Sequence, residues 1–349
     1  MQKNREPFNY IIENAQVLSE KVLALQYQYQ PELKKQYTAL EHNKCIKDIV
    51  YHLQYLAQSL LVENPLLFGD YVIWAKVLLN NLKIPTEHLY VNLICIKEIL
   101  QEILPQHSTM INACIDSAIE SLLSSSVEVP SFISNDKPHS ELAKQYLQIL
   151  LDGDRHKASS LILNASDTTL SVKDIYMYIF EPVLKEVGRL WQTHKITVAQ
   201  EHYCTATTQL IMAQLYHKIF KTPKIGLSLV AACVNEELHE VGIRMIADIL
   251  ELEGWDTYYL GANVPMYDII EFVSEKNPNI VALSCTMTFH LHKIIDIINE
   301  IKNMPNFNEA KIMVGGYPFN IDKNLWKTIG ADLYASNALE TCQLVSESF

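Results

Sequence analysis

The stretch KIGLSLVAACVNEELHEVGIRM, residues 224–245, is where the hydrophobic period of this chain changes. Upstream, apolar residues recur every three or four positions, as one buried face of a helix requires. From Lys224 the apolar run KIGLSLVAAC (224–233) reads as a strand, and the loop VNEELHEVGIRM leads from it into a new helical pattern. The alternation then repeats, with WDTYYLG (255–261), NIVALSC (279–285), KIMVGG (311–316) and ADLYA (331–335) reading as strands and helical segments between them. Five βα repeats with continuous apolar strands predict a doubly wound parallel sheet over 223–349. Such sheets take ligands in the crevice at the carboxyl ends of their strands, so the chemistry is sought in the loops that follow them.

The loop after the first strand carries His239, with Glu237 two residues before it and Gly242 three after. In an extended loop Glu237 can accept a hydrogen bond from Nδ1, which fixes the tautomer and leaves Nε2 as a neutral metal ligand. Gly242 is expected to let the next helix pack close to the sheet or to a ligand. One histidine and one carboxylate cannot hold zinc, which takes three or four protein ligands. A metal already held by a macrocycle needs only one, which points to a corrinoid or a haem.

Working back toward the amino end, SSSVEVPSFISNDKPHS (124–140) has the composition of a linker. It separates a helical region, 1–125, from a bundle at 139–222, with the linker itself at 126–138. The bundle reads as four helices, the first two divided by the turn Asp152-Gly153-Asp154. From Asn9 to Leu122 the helical period predicts five to seven helices, with Pro65 and Pro85 near helix starts, where a missing N–H costs little. The segment ENPLLFGDYVIWAKVLL (63–79) holds Phe68, Tyr71 and Trp74, read as a bundle core, a pocket for a flat ligand or a dimer face.

The composition narrows the function further. A net charge of −12 over 349 residues argues against binding a phosphate backbone, so no direct nucleic-acid partner is expected. The opening MQKNREPFNYII has no apolar h-region, and no long uncharged apolar run follows, so a cytoplasmic protein without membrane contact is expected. The seven cysteines, Cys45, Cys95, Cys114, Cys204, Cys233, Cys285 and Cys342, are widely spaced and read as reduced and buried. No nucleophile and base pair stands out, so no enzymatic activity is expected, and His290 with His292 reads as a polar helix face rather than a metal site.

These residues together resemble the cobalamin-binding family. Glu237-Leu238-His239-Glu240-Val241-Gly242 looks like its D/E-x-H-x-x-G motif, in which the histidine is the lower axial ligand of cobalt. Ser284 and Thr286 after the third strand, and Gly315-Gly316 after the fourth, match the small residues that line the slot for the cofactor's nucleotide tail. The resemblance spans roughly 138–349 and implies a four-helix cap over the upper corrin face and a Rossmann-like domain below. Glu237 stands where most members carry aspartate.

Within the cap, Trp191 and Glu201-His202 reproduce the W-x9-E-H spacing of CarH-like photoreceptors, which hold adenosylcobalamin. Thr197-Val198-Ala199-Gln200 reads as a capping box that starts the helix bearing Glu201. The resemblance places Trp191, Val198, Glu201 and His202 at the upper ligand, with the ribose hydroxyls as partners for Glu201. Without it, the same residues would be a core tryptophan and a surface pair. Where DNA-binding sensors of this type have a histidine after the tryptophan, this chain has Gln192, and His194 lies two positions on. The front region, diffusely, is similar to that of photocobilins, which hold biliverdin beside the corrin. Tyr71, Trp74 and His88 are then the candidate bilin residues, with core packing the alternative for each.

The expectation is a light sensor that signals through self-association, as a dimer or tetramer, or through a separate effector protein. The alternatives are a corrinoid methyl carrier for a methyltransferase and a light-independent cobalamin-sensing regulator.

Overall fold

The computed structural model describes residues 4–304 and 310–349. The chain packs as two units, Met1–Glu128 with Met287–His292, and Val129–Thr286 with Lys293–Phe349.

The first unit is helical. Among the described residues it contains the helices Arg5–Glu13, Ala15–Tyr29, Pro31–Gln36, Ala39–Leu61, Pro65–Asn81, Thr86–Ile103 and Ser108–Ser124. Their starts follow local chemistry. Thr38 and Glu41 form a reciprocal capping box, and Asn64 caps the next helix ahead of Pro65 by accepting from the Leu66 N–H at 3.1 Å. The long helix Ala39–Leu61 buries Leu53, Leu56 and Leu60 against its neighbours, with Phe68 and Val72 of the following helix. Lys76, itself buried, donates to the Leu122 and Ser125 carbonyls at 2.7 and 2.6 Å, satisfying the end of the last helix.

The second unit begins with the helical bundle. Its helices are Ser140–Leu151, Arg155–Thr168, a long one from Val172 to Gln192, and Val198–Gln214, followed by the short Tyr216–Ile219. The long helix holds a π turn at Tyr176–Phe180, just ahead of Pro182. A proline ring inside an α-helix meets the carbonyl four residues back, and the wider turn relieves that conflict. The bundle core is Tyr146, Tyr176, Phe180, Val183, Cys204 and Ile211, all essentially inaccessible.

The sheet follows, with β1 (Ser228–Val234), β2 (Asp256–Val264), β3 (Ile280–Ser284), β4 (Lys311–Gly315) and β5 (Leu333–Tyr334). All pairs are parallel, in the order β2-β1-β3-β4-β5. The expected doubly wound parallel five-stranded sheet is therefore present. Two details differ from the expectation. β1 starts at Ser228 rather than Lys224, because Gly226 takes a positive φ of 83° and Lys224 turns aside to the Trp255 carbonyl. β2 is half-buried along its length rather than continuously buried, because it is an edge strand, paired only with β1.

The order reverses between β1 and β3, the switch point of the sheet, and the loops after these two strands meet there, the Thr286 N–H donating to Glu237. Register places Cys233, Ser284 and Gly315 side by side at the carboxyl ends of β1, β3 and β4. Beyond them Gly316 has a φ of 108°, and a Cβ on it would lie 1.9 Å from the Cys285 carbonyl oxygen. Its smallness is required by backbone against backbone, before any ligand is considered. Gly316→Ala should therefore cost about 3–5 kcal/mol in chemical denaturation. Gly153→Ala, at a φ of 78° with nothing within 4 Å, should cost only about 1–2 kcal/mol, the strain of the left-handed backbone alone.

Candidate functional site

The loop leaving β1 turns at Glu236, whose φ is 66°, and its backbone N–H donates to the Asn263 side chain at 2.6 Å. This turn sends Glu237 inward and His239 outward. Glu237 is fully buried while the His239 side chain is 56 % exposed. One Glu237 oxygen lies 2.5 Å from His239 Nδ1 and accepts the His239 backbone N–H at 3.0 Å. The other accepts the backbone N–H of Thr286 at 2.8 Å. A buried carboxylate is expensive unless fully hydrogen-bonded, and these three contacts meet that demand. They also orient the imidazole, and a proton on Nδ1 directed at the carboxylate would leave Nε2 as the free nitrogen. The hydrogen bond to Glu237 holds the His239 pKa above 6.5, against the opposing effect of burial, with Glu237's charge and that of Glu201 adding to it.

Large apolar side chains stand exposed on both the loop and the bundle. Leu238, beside the histidine, is 71 % exposed, and Val198 on the bundle side is 54 % exposed. Gly242 has no atom within 4 Å of where a Cβ would stand, so of the two expected reasons for a glycine here, close packing on the sheet or on a ligand, the sheet does not supply one. Protein packing does not require glycine there. Gly315 is similarly undemanding, its nearest neighbour being the Ala335 carbonyl at 3.7 Å.

Above the loop, Thr197 and Gln200 form the expected capping box, and the helix it starts buries Cys204, Thr208, Ile211 and Leu215 on one face. Glu201, at the head of that face, is partly buried and already partnered. It pairs with His202 Nδ1 and accepts from Thr205 Oγ1 at 3.0 Å. Its carboxylate thus has partners within the chain itself. His202 is otherwise exposed. Trp191 is half-buried one residue before the helix end at Gln192, which is buried, and His194 takes a φ of 55° in the exposed turn beyond.

Two family models describing a B12 binding domain match residues 142–216 and 227–343. Dimethylamine corrinoid protein 1 of Methanosarcina mazei is 30% identical over 166 residues, a match covering 47% of this chain and 74% of that protein. Dimethylamine corrinoid protein 3 of Methanosarcina acetivorans is 31% identical, with the same coverage. The chain belongs to the family of B12-binding corrinoid proteins. The structure of the Methanosarcina barkeri monomethylamine corrinoid protein shares the fold, with a TM-score of 0.54 at 20% identity over 60% of this chain and all of that one. Residues 6–122 match a third model, described as a phycobilisome protein.

Several residues of this corrinoid protein's second unit were not legible in sequence. Glu240 joins the bundle to the sheet by accepting from Gln209 Nε2 at 2.7 Å and from the Tyr259 hydroxyl at 2.6 Å. Behind it, the Tyr176 hydroxyl donates to Asp248 at 2.8 Å, and the Arg244 guanidinium lies over the Tyr216 ring. Burial raises the Asp248 pKa, partly offset by the Tyr176 hydrogen bond and Arg244. No local pattern marks such pairs, because their members lie on separate elements.

In the helical unit, Tyr71 and Trp74 come together in one stacked aromatic row with Tyr55, whose ring lies 3.7 Å from that of Tyr71. Tyr71 also shares a 2.7 Å hydrogen bond with His52, which burial pushes down to about 4. His88 pairs instead with the Tyr37 hydroxyl at 3.4 Å, and no contact joins it to that row among the described residues. His290 and His292 do not form a polar face. His290 is buried in a short turn, and His292 packs on Phe8 with ring centroids 5.2 Å apart. Among the described residues no cluster of three or more metal-ligating side chains occurs, and no helix is long and apolar enough to cross a membrane.

Because Glu237 holds the proton on His239, Glu237→Gln should bring the imidazole pKa of the cofactor-free protein down to 6.5 or below in an NMR titration. The sign follows from linkage: a raised histidine pKa contributes stability below 6.5 that fades as pH rises through the raised value, and the variant should lose that contribution.

Proposed function

We propose that this chain is a light-responsive sensor that holds adenosylcobalamin, with His239 as the lower axial ligand of cobalt. The buried Glu237 carboxylate carries the corrinoid part of the reading. It holds one half-exposed imidazole at the switch point of the sheet, which suits a metal whose other ligands come from a macrocycle. Ser284, Thr286, Gly315 and Gly316 would then line the slot for the nucleotide tail. Val198, Trp191, Glu201 and His202 would meet the upper ligand, and Gly242 and Leu238 the corrin edge.

The bound cofactor supplies a cobalt–carbon bond that light can break. The chain's own part is to enclose the upper ligand between the two capped helix ends and to respond when it leaves. Gln192, buried at the end of the Trp191 helix, offers no imidazole to the upper face. The phycobilisome match over 6–122 supports a second, bilin chromophore such as biliverdin, and the stacked Tyr55, Tyr71 and Trp74 are the residues we assign to it. The signal would pass to a separate effector or to a second copy of the chain.

A second reading has its own support. The relatives named as dimethylamine corrinoid proteins favour a methyl carrier serving a methyltransferase, and on those relatives alone it is the better supported. Their match accounts for 47% of this chain, however, and leaves the phycobilisome-like region without a role in a carrier.

Absorption spectra of the protein reconstituted with adenosylcobalamin, before and after green light, separate the two. The sensor reading expects a spectral change and extra red bands if a bilin is present; an unchanged spectrum, with dark methylation by an added methylamine methyltransferase, would establish the carrier. His239→Ala should lose the spectrum of histidine-ligated cobalamin. Gly242→Ala should leave the cofactor-free stability within about 0.5 kcal/mol, since nothing crowds it, yet weaken cobalamin binding in a titration.

A further inference from the structure

Gln58 is an unexpected residue to find completely buried, in the last turns of Ala39–Leu61. Its amide nitrogen donates to the Phe289 carbonyl and meets His292 Nδ1, both at 2.9 Å, while its oxygen accepts the His292 backbone N–H at 3.0 Å. Tyr51 and Tyr55 of the same helix flank the Phe289 ring, with centroids 6.0 and 5.3 Å away. The segment Met287–His292 is thus packed as part of the helical unit, although it belongs in sequence to the loop that follows β3.

The residues on either side of that segment do something different. Thr286, immediately before it, donates its backbone N–H to Glu237. Lys293, immediately after it, donates to the Asn235 carbonyl at 2.9 Å and pairs with Glu236. Both therefore bond the loop that carries His239. Six residues held by the helical unit are bracketed, through one peptide bond at each end, by the two groups that hold the histidine loop.

We infer that Gln58 is a positioning residue for His239: by fixing the 287–292 segment it sets the Thr286 N–H that holds the Glu237 carboxylate and, through it, the imidazole. The inference rests on the corrinoid reading proposed above. It gives the helical unit a covalent route to cobalt ligation, so a change in the packing of Ala39–Leu61 would be felt at the axial histidine.

The test uses the full chain, nitrogen-15-labelled and reconstituted with cob(II)alamin, whose EPR lines are split by a protein nitrogen when the histidine is bound. Gln58→Leu removes all three hydrogen bonds, and Gln58→Glu keeps the shape and the acceptor but loses the donor. Asn92→Leu, which removes a buried amide bonded to Gln26 in the same unit, controls for general loosening. Loss of a direct outer partner of a metal-bound histidine costs about 10–100-fold, so one further removed should lower the ratio of His-bound to His-free cobalt by about threefold. We expect that drop in Gln58→Leu, a smaller one in Gln58→Glu and none in Asn92→Leu. In the cofactor-free protein, Thr286 amide exchange should accelerate in the Gln58 variants only. If Gln58→Leu does not fold, Gln58→Glu alone decides the matter. A split wild-type signal unchanged in the Gln58 variants, or lowered equally by Asn92→Leu, would overturn the inference and leave the corrinoid reading standing. An unsplit wild-type signal would overturn both.

Discussion

The carboxylate of Glu237 has no access to water, and the geometry around it follows from that. A charge in a protein interior is tolerable only when its lone pairs are taken up by well-placed donors. Here they come from two loops: His239 contributes its backbone N–H and its ring, and Thr286 its backbone N–H. Those loops lie together because β1 and β3 are neighbours at the point where the strand order reverses. Moving either strand would strand the charge. The histidine's orientation is therefore a consequence of satisfying the carboxylate.

The helical bundle is joined to the sheet by polar contacts with similar exactness. Glu240 links Gln209 to Tyr259, and Asp248 receives Tyr176. The upper residues are more loosely held. Glu201 has His202 and Thr205 as partners, so a ligand arriving there would exchange one set of hydrogen bonds for another. Exchanges of that kind contribute only about 0.5–1.5 kcal/mol net each, so they favour specificity over affinity.

The relatives and the architecture pull the function in different directions. The corrinoid module is shared with proteins named for methylamines, while the front region is matched by a phycobilisome model. Tyr55, Tyr71 and Trp74 stack within the region of the phycobilisome match.

How much of this was legible in the sequence depends on the range of the interaction. The change of period at Lys224, the Thr197 capping box, the Asp152-Gly153-Asp154 turn and the pairing of Glu237 with His239 are all local, and each was read from neighbours within a few residues. Periodicity and spacing fixed the five parallel strands, and with them the switch point whose loop carries the histidine. What stayed hidden was long-range. Thr286 and Lys293 bracket a segment held by Gln58, more than half the chain away, and a buried glutamine carries no signal of its partner. Gly316 illustrates the same limit: the glycine was noticed, but its reason, the Cys285 carbonyl, exists only once β3 and β4 are paired. The sequence by itself determined the elements, their order and the pairing of His239 with the Glu237 carboxylate. The tertiary structure alone decided which backbone groups satisfy that carboxylate, because a buried charge takes its partners from whatever the fold brings within hydrogen-bonding distance.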